Sequence, residues 1–379
     1  MNSKFSIHAL LKCATICLTT VLISTSCSKQ PTTLKDAFQN YYLFGTAINV
    51  RHIRGKLPED MAIVMREFNT ITPENMLKWE KVHPEPDRFN FGPVDSMMAF
   101  AEKNGLHVIG HTLIWHSQTP GWVFKYDDGE PATREFLLQR MKHHIETVVD
   151  RYKGRILGWD VVNEAIDDNG ELRNSKWREI IGDDYIQKAF EYARAADPDA
   201  QLYYNDYDMW KPVKRNAVVK LVSELQAQGV KVDGIGLQGH WGMDYPIISL
   251  GDSAIAAYAA LGVNVLITEL DISPLPNPWA FTGADISKRF QLTDETNPWP
   301  NGLPDSMQTA LADRYAELFE LFNKYDKNIS RVTFWGVSDG MSWLNNYPIR
   351  GRTNYPLLFD RNHQPKRAYY AVLNTVLNK

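Results

Sequence analysis

A single barrel of eight parallel strands wrapped in helices is what this chain of 379 residues predicts. Apolar strand-like runs alternate with amphipathic helical stretches eight times, with no internal break. Seven of the runs end on polar or charged side chains instead of continuing apolar. A buried strand that delivers such groups at its C-terminal end is where an α/β barrel keeps its chemistry. The hydrophobic share of 44% is ample for one large core. No domain-separating linker, repeat or low-complexity tract interrupts the pattern, so the fold class is α/β, a single (β/α)8 TIM barrel.

Each element has a local reason. Phe44–Val50 reads as the first strand, and Pro58–Phe68 as a helix with Met61, Ile63, Val64 and Phe68 on one face. Thr70–Thr72 is a short second strand leading to Glu74, Asn75 and Lys78, and a helix over Val94–Lys103 follows. Val108–His116 is the third strand, and the helix Thr133–Tyr152 leads to the run Ile156–Val162, which stops abruptly on Asn163 and Glu164. Next come a helix over Lys176–Ala196, the strand Gln201–Tyr207, a helix over Pro212–Gln228 and the strand Val232–His240. A helix over Ser253–Leu261 precedes Val263–Thr268, which ends on Glu269. The helix Met307–Lys324, the strand Arg331–Asp339 and a last helix from Pro365 to about Leu377 complete the alternation. Ser273–Pro304 is left as a long loop rich in proline, with Trp279, Phe281 and Trp299, on the face where a long loop shapes a binding site.

Two glutamates on two strand ends, Glu164 and Glu269, are what hydrolysis of a glycosidic bond requires, one as acid/base and one as nucleophile. Around them the strand ends gather Glu74, Asn75, Lys78, His111, Trp115, His116, Asn163, Asn205, Tyr207, Gln238, His240 and Trp335. The bland reading of one such ending is a structural ion pair or a satisfied polar residue; seven together describe a site.

The motifs Thr72–Asn75 with Lys78-Trp79, Gly110–His116, Trp159–Glu164, Tyr204–Tyr207, Gly236–His240, Ile267–Asp271 and Trp335–Trp343 resemble the signature set of glycoside hydrolase family 10, the endo-β-1,4-xylanases. They occur in the family's order, and the resemblance runs from about Phe44 to Leu377. It implies that Glu164 is the general acid/base and Glu269 the nucleophile of a retaining mechanism. In such a site the carboxyls stand roughly 5–5.5 Å apart, and like charges that close resist joint ionisation. It further implies that His240 hydrogen-bonds the nucleophile while Asp271 orients the imidazole, with Gln238 in support. A donor to Glu269 keeps it ionised, and a carboxylate fixes the tautomer, so the chemistry agrees. Asn163 is implied to bind the 2-hydroxyl of the sugar at the cleavage point. Glu74, Asn75 and Lys78 resemble residues that grip the next sugar, and His111, Trp115, Trp335 and Trp343 the walls around the reacting one. Trp343 would favour xylose by occupying the space of a hexose hydroxymethyl group. Asn205 and Tyr207 are placed toward the leaving group, while Trp79 and Trp241 are read as packing.

A metal reading of His111, His116, His143 and His144 is weak. His111 and His116 are five apart on an extended run and would face opposite sides, and His143-His144 falls in mid-helix, so no cofactor is expected. The net charge of -4 gives no reason to expect nucleic acid. Residues 1–27 read as an export leader: Lys4 and Lys12, an apolar run from Cys13 to Ile23, then small residues before Cys27. That order resembles a bacterial lipoprotein signal with Cys27 as the lipidated residue, and plain secretion is the alternative. All three cysteines lie in the leader, so the body can form no disulfide. Ser28–Thr33 is polar, residues 28–40 are assigned as a tether, and 41–379 as the barrel. The expectation is an exported, cell-envelope monomer that acts on xylan and xylo-oligosaccharides and meets a membrane only through its anchor. Rivals are a chain-end, xylobiose-releasing enzyme, a mixed-specificity β-glycanase of the same family, and a non-catalytic glycan-binding lipoprotein, against which the intact glutamate pair argues.

Overall fold

The computed structural model describes residues 33–278 and 287–377. Its barrel strands are β1 (Leu43–Ile48), β2 (Thr70–Pro73), β3 (His107–Trp115), β4 (Gly158–Asn163), β5 (Gln201–Asp206), β6 (Gly234–Leu237), β7 (His240–Gly242), β8 (Asn264–Ser273) and β9 (Ile329–Phe334). All pair in parallel. The ladder runs from β1 through β6 in sequence, then to β8 and β9, and β9 pairs back with β1, so the sheet closes without an edge. Both β6 and β7 lie beside β8 and make one barrel position in two pieces, interrupted at Gln238 and Gly239. Gly239 sits at φ +87°, a conformation that suits glycine, which is why the run Val232–His240 does not form one strand. Eight parallel strand positions therefore make the predicted barrel.

Closure buries both faces of the strands and accounts for their nearly continuous apolar runs. Outward-facing Leu202, Tyr204, Ile235, Val265 and Ile267 join the large core beneath the helices, whereas Ile109, Tyr203 and Leu266 form a separate cluster inside the barrel. Arg331 is also buried there, donating from Nη1 to Thr333 Oγ1 at 2.8 Å. Glycines make room for the large rings: a Cβ at Gly110 would strike the Trp159 indole, and one at Gly158 the Tyr203 phenol. Prolines at the first turns of Pro58–Glu67, Gly92–Asn104 and Pro212–Ala227, and Gly105 at φ +65° after the second of these, mark helix ends as the sequence suggests.

Several boundaries differ from expectation, and the strand read over Arg331–Asp339 stops at Phe334. The helix read over Lys176–Ala196 is two, Lys176–Ile181 and Tyr185–Ala196, because Gly182 at φ +105° ends the first. The helix expected from Ser253 begins at Ile248. Glu269 lies inside β8, which runs on to Ser273, with the register slipping between Ile267 and Leu270. The tether assigned to 28–40 ends early: Leu34–Ala37 is a helix capped by Thr33, and Leu34 and Phe38 are fully buried, Phe38 lying 5.1 Å from Phe44 and 5.6 Å from Phe319 between ring centroids. Apolar side chains in that short segment find a core, so the folded body starts by Thr33 instead of residue 41.

The leader with Cys27, and residues 28–32 after it, lie outside the described residues, as do Trp279 and Phe281 of the long loop. The described remainder of that loop is tied to residues 345–355. Asn297 accepts from the Thr353 amide at 3.0 Å, the Trp299 carbonyl from the Tyr355 hydroxyl, and Asn277 from Arg352 at 2.9 Å. Among the described residues, no helix is long and apolar enough to cross a membrane.

Candidate active site

Strand register assembles the site. In the parallel ladders Trp115 pairs with Asn163, His111 with Asp160, Asn163 with Asn205 and His240 with Asp271, so residues far apart in sequence arrive at one end of the barrel. Glu164 comes immediately after β4 at φ +58°, left-handed for a residue that is not glycine. Such a conformation costs on the order of 1–3 kcal/mol and persists only where the surroundings fix it. Its amide donates to the Asn205 carbonyl at 2.9 Å. Both carboxyl oxygens are engaged: Oε2 accepts from the Trp115 indole and Oε1 from the Gln238 amide, each at 2.8 Å. His116 Nδ1 is 4.0 Å away, so His116 stands on the site side with His111; it follows the last residue of β3, where strand alternation no longer applies.

Glu269 has a different environment. Oε1 accepts from Asn205 Nδ2 at 2.9 Å, and Oε2 lies 3.2 Å from His240 Nε2. Burial alone would push this carboxyl up; the His240 contact, with charge on His111, His240 and Lys78, outweighs burial and holds it below the usual range. His240 Nδ1 is 3.1 Å from Asp271 Oδ2. Burial disfavours charge on this imidazole, yet Asp271 and Glu269 overcome that and push its pKa up to about 10. An imidazolium thus stands between two carboxylates at neutral pH. Asp271 Oδ2 also accepts from the Trp343 indole at 2.8 Å.

A bridge of amides joins the two glutamates. Gln238 reaches from Glu164 to Asn163 Oδ1 at 3.4 Å, the Asn163 and Asn205 amides meet at 2.9 Å, and Asn205 continues to Glu269. The Thr268 hydroxyl donates to Asn205 Oδ1 at 2.6 Å and so fixes that amide's orientation. Asn205, expected to face the leaving group, is instead fully buried under the pair, since its inward position on β5 points at Glu269. Tyr207 is half-buried; its hydroxyl accepts from Arg173 at 2.9 Å, and Lys214 Nζ lies 3.3 Å from its ring centroid.

The remaining expected residues form two groups. Lys78 Nζ donates to Asn75 at 3.1 Å, Asn75 to Glu74 Oε1 at 3.1 Å, and Asn49 to Glu74 Oε2 at 3.0 Å. Burial lowers the Lys78 pKa, opposed by the charges of Glu269, Glu74 and Glu164. Trp335 lies edge-on to His111 at 5.3 Å and to His240 at 6.4 Å, and Trp343 stacks on Tyr347 at 5.0 Å. Trp79 and Trp241 are buried, Trp79 stacked on His144 at 3.6 Å and Trp241 6.1 Å from Phe322. His144 Nδ1 faces His83 Nδ1 at 3.1 Å, and among the described residues no group of three His, Cys, Asp or Glu stands as a metal site.

Sequence reasoning missed the layer behind these groups. Asp160 contacts His111 Nδ1 at 2.9 Å, Thr268 orients Asn205, and Asn49 holds Glu74. Arg173, Asp206 and Lys214 brace the segment after Glu164. Asp160 carried a signal, being an acid inside an otherwise apolar strand; Arg173 and Lys214 carried none, because loops and helices bring them in.

The chain is similar to known proteins along most of its length. Residues 33–375 match the model of glycosyl hydrolase family 10. An endo-1,4-beta-xylanase A of Xylanibacter ruminicola is 48% identical over 91% of this chain and 93% of its own length. A beta-1,4-xylanase of Dictyoglomus thermophilum is 39% identical over 98% and 99%. Among solved structures, an endoxylanase of this family from a sugarcane soil metagenome superposes with a TM-score of 0.87 at 43% identity, covering 90% of this chain and 99% of that one. A mutant structure in complex with xylotriose does so with a TM-score of 0.79 at 36% identity, covering 91% and 100%.

Proposed function

Because this chain belongs to glycosyl hydrolase family 10, we propose that it is a retaining endo-β-1,4-xylanase that cleaves internal bonds of xylan and xylo-oligosaccharides by double displacement. The observation that carries the reading is the unlike surroundings of the two glutamates. Glu269 is held ionised by His240 and accepts from Asn205, as a nucleophile must be. Glu164 sits between the Trp115 and Gln238 donors, clear of that cationic histidine. In the first step a Glu269 oxygen bonds to the anomeric carbon, the bond to the leaving sugar's oxygen breaks, and Glu164 gives that oxygen its proton. In the second, water attacks the same carbon, Glu164 takes the water's proton, and the ester to Glu269 breaks. Asn163 binds the 2-hydroxyl, Glu74, Asn75 and Lys78 hold the preceding sugar, Tyr207 lies toward the leaving group, and His111, Trp115, Trp335 and Trp343 wall the reacting ring, with the Trp343 indole excluding a hydroxymethyl group.

Glu269→Ala tests the centre of the scheme. It should abolish xylan hydrolysis with the fold intact, and added azide should restore turnover with a glycosyl azide of inverted anomeric configuration, read by proton NMR. Wild-type activity in the variant removes Glu269 from its role. Chromatography of early products separates internal from terminal cleavage: a ladder of xylo-oligosaccharides from xylan, and nothing from carboxymethylcellulose, supports an endo-xylanase. One short product from the start means chain-end action. Residues 1–27 are proposed as an export leader and Cys27 as a lipidated anchor of a monomer in the cell envelope; loss of metabolic fatty-acid labelling in Cys27→Ser is the check.

A further inference from the structure

We infer that Arg173 is a positioning residue for the general acid, aiming the Glu164 carboxyl by gripping the peptide carbonyl behind it; this rests on the reading of Glu164 given above. Arg173 Nε donates to the Glu164 carbonyl at 2.9 Å and Nη2 to the Tyr207 hydroxyl at 2.9 Å, while Nη1 lies 2.7 Å from Asp167 Oδ1. One planar fork thus holds the acid's backbone, the ring that follows β5 and the loop after Glu164. Residues 164–173 return on themselves through a bridge between Ile166 and Leu172, and the Arg173 amide donates to the Ala165 carbonyl at 2.8 Å.

Glu164 needs such a grip because its φ of +58° is not one a glutamate adopts unaided. The peptide that follows is held from both sides. Its carbonyl takes Arg173, and the Ala165 and Ile166 amides both donate to the Tyr204 hydroxyl at 3.1 Å. Tyr204 in turn donates to Asp206, whose other oxygen lies 2.7 Å from the buried ammonium of Lys214. Tyr204, Asp206 and Lys214 form the floor, and Arg173 is the clamp above it. Releasing the clamp lets the backbone of Glu164 relax and turns the carboxyl away from the departing oxygen, while Glu269 on β8 keeps its contact with His240 on β7.

The test compares kcat/KM, which reads the first displacement, for two substrates in the purified full chain. Xylotetraose needs its leaving oxygen protonated; an aryl β-xylobioside with dinitrophenol as leaving group does not. Arg173→Met, which removes every donor, should lose roughly 10-fold to 100-fold on xylotetraose and stay within about threefold on the aryl substrate, a part of what general acid catalysis supplies. Arg173→Lys, which keeps the charge opposite Asp167 but not the fork, should show the same selectivity with a smaller loss. Equal losses on both substrates, or none, in the two variants overturn the positioning role, since a merely structural arginine has no reason to discriminate by leaving group. Glu164→Ala is run beside them. If it fails to discriminate, the acid reading falls first and takes this one with it; if it discriminates and the arginine variants do not, only the present inference fails.

Discussion

At the scale of single residues the division of labour between the glutamates is an electrostatic matter. Glu269 is lower than an ordinary carboxyl although it is buried, because His240 is charged and Asp271 keeps it so. Replacing His240 by Gln removes that charge, so Glu269 should protonate at a higher pH. The nucleophile works only when ionised; the acid limb of the kcat/KM profile should therefore move upward by about one pH unit or more, the usual effect of one adjacent opposite charge. An unmoved limb would separate His240 from the ionisation of Glu269. The motif residues Asn163, Gln238 and His240 were legible in sequence because each ends or interrupts an apolar run. Asn205 was legible as a site residue but not in its task, since only its burial and the Thr268 contact reveal that it serves Glu269.

Among the elements, β3 and β4 carry the largest share of the site, and their close approach depends on a glycine. Gly110 on β3 faces Trp159 on β4, and any Cβ there enters the indole. Gly110→Ala should destabilise the protein by about 1–3 kcal/mol, as overpacked cores do, and should lower activity because β3 carries Trp115 and β4 leads directly into Glu164. Thermal melting and xylan assays measure both; an unchanged melting temperature would mean that the strands part without cost. The sequence pattern located β3 and β4 through their apolar runs. It could not locate the slip in register between His111 and Ile114, which depends on how the neighbouring strand packs.

For the whole barrel, closure joins the first and last described helices, Leu34–Ala37 and Arg367–Leu377, through Glu67. Glu67 accepts from the Leu34 amide at 2.9 Å and from the Tyr369 hydroxyl at 3.1 Å, and Phe38 packs on Phe319. A chain beginning at residue 41 loses the burial of Leu34 and Phe38, each worth about 1.5–3 kcal/mol. It should melt several degrees below a chain beginning at residue 28; equal melting temperatures would restore the longer tether. Acid sensitivity is also distributed through the core. Burial holds the His144 imidazole well below its ordinary pKa and lowers that of His83 as well. Below about pH 6.5 the unfolded chain takes up protons that these two refuse in the folded state, so stability falls as pH drops through that range. His144→Phe keeps a ring against Trp79 and removes the titration. Its melting temperature should fall less steeply between about pH 6.5 and 5 than that of the unaltered protein, and parallel slopes would take His144 out of the acid response.

Taken alone, the order of apolar runs determined the barrel, and the polar ends of those runs determined which face works and which two glutamates stand on it. Local patterning suffices there, because burial on both faces of a strand and a sudden carboxyl at its end are properties of neighbouring residues. Tertiary structure decided what no neighbouring residue encodes. It paired Asn205 with Glu269 across β5 and β8, set His240 between Glu269 and Asp271, drew Leu34 and Phe38 into the core, and brought Arg173 round a loop to hold the Glu164 carbonyl. Each of those contacts depends on strand register or loop path, which are fixed only when the barrel closes.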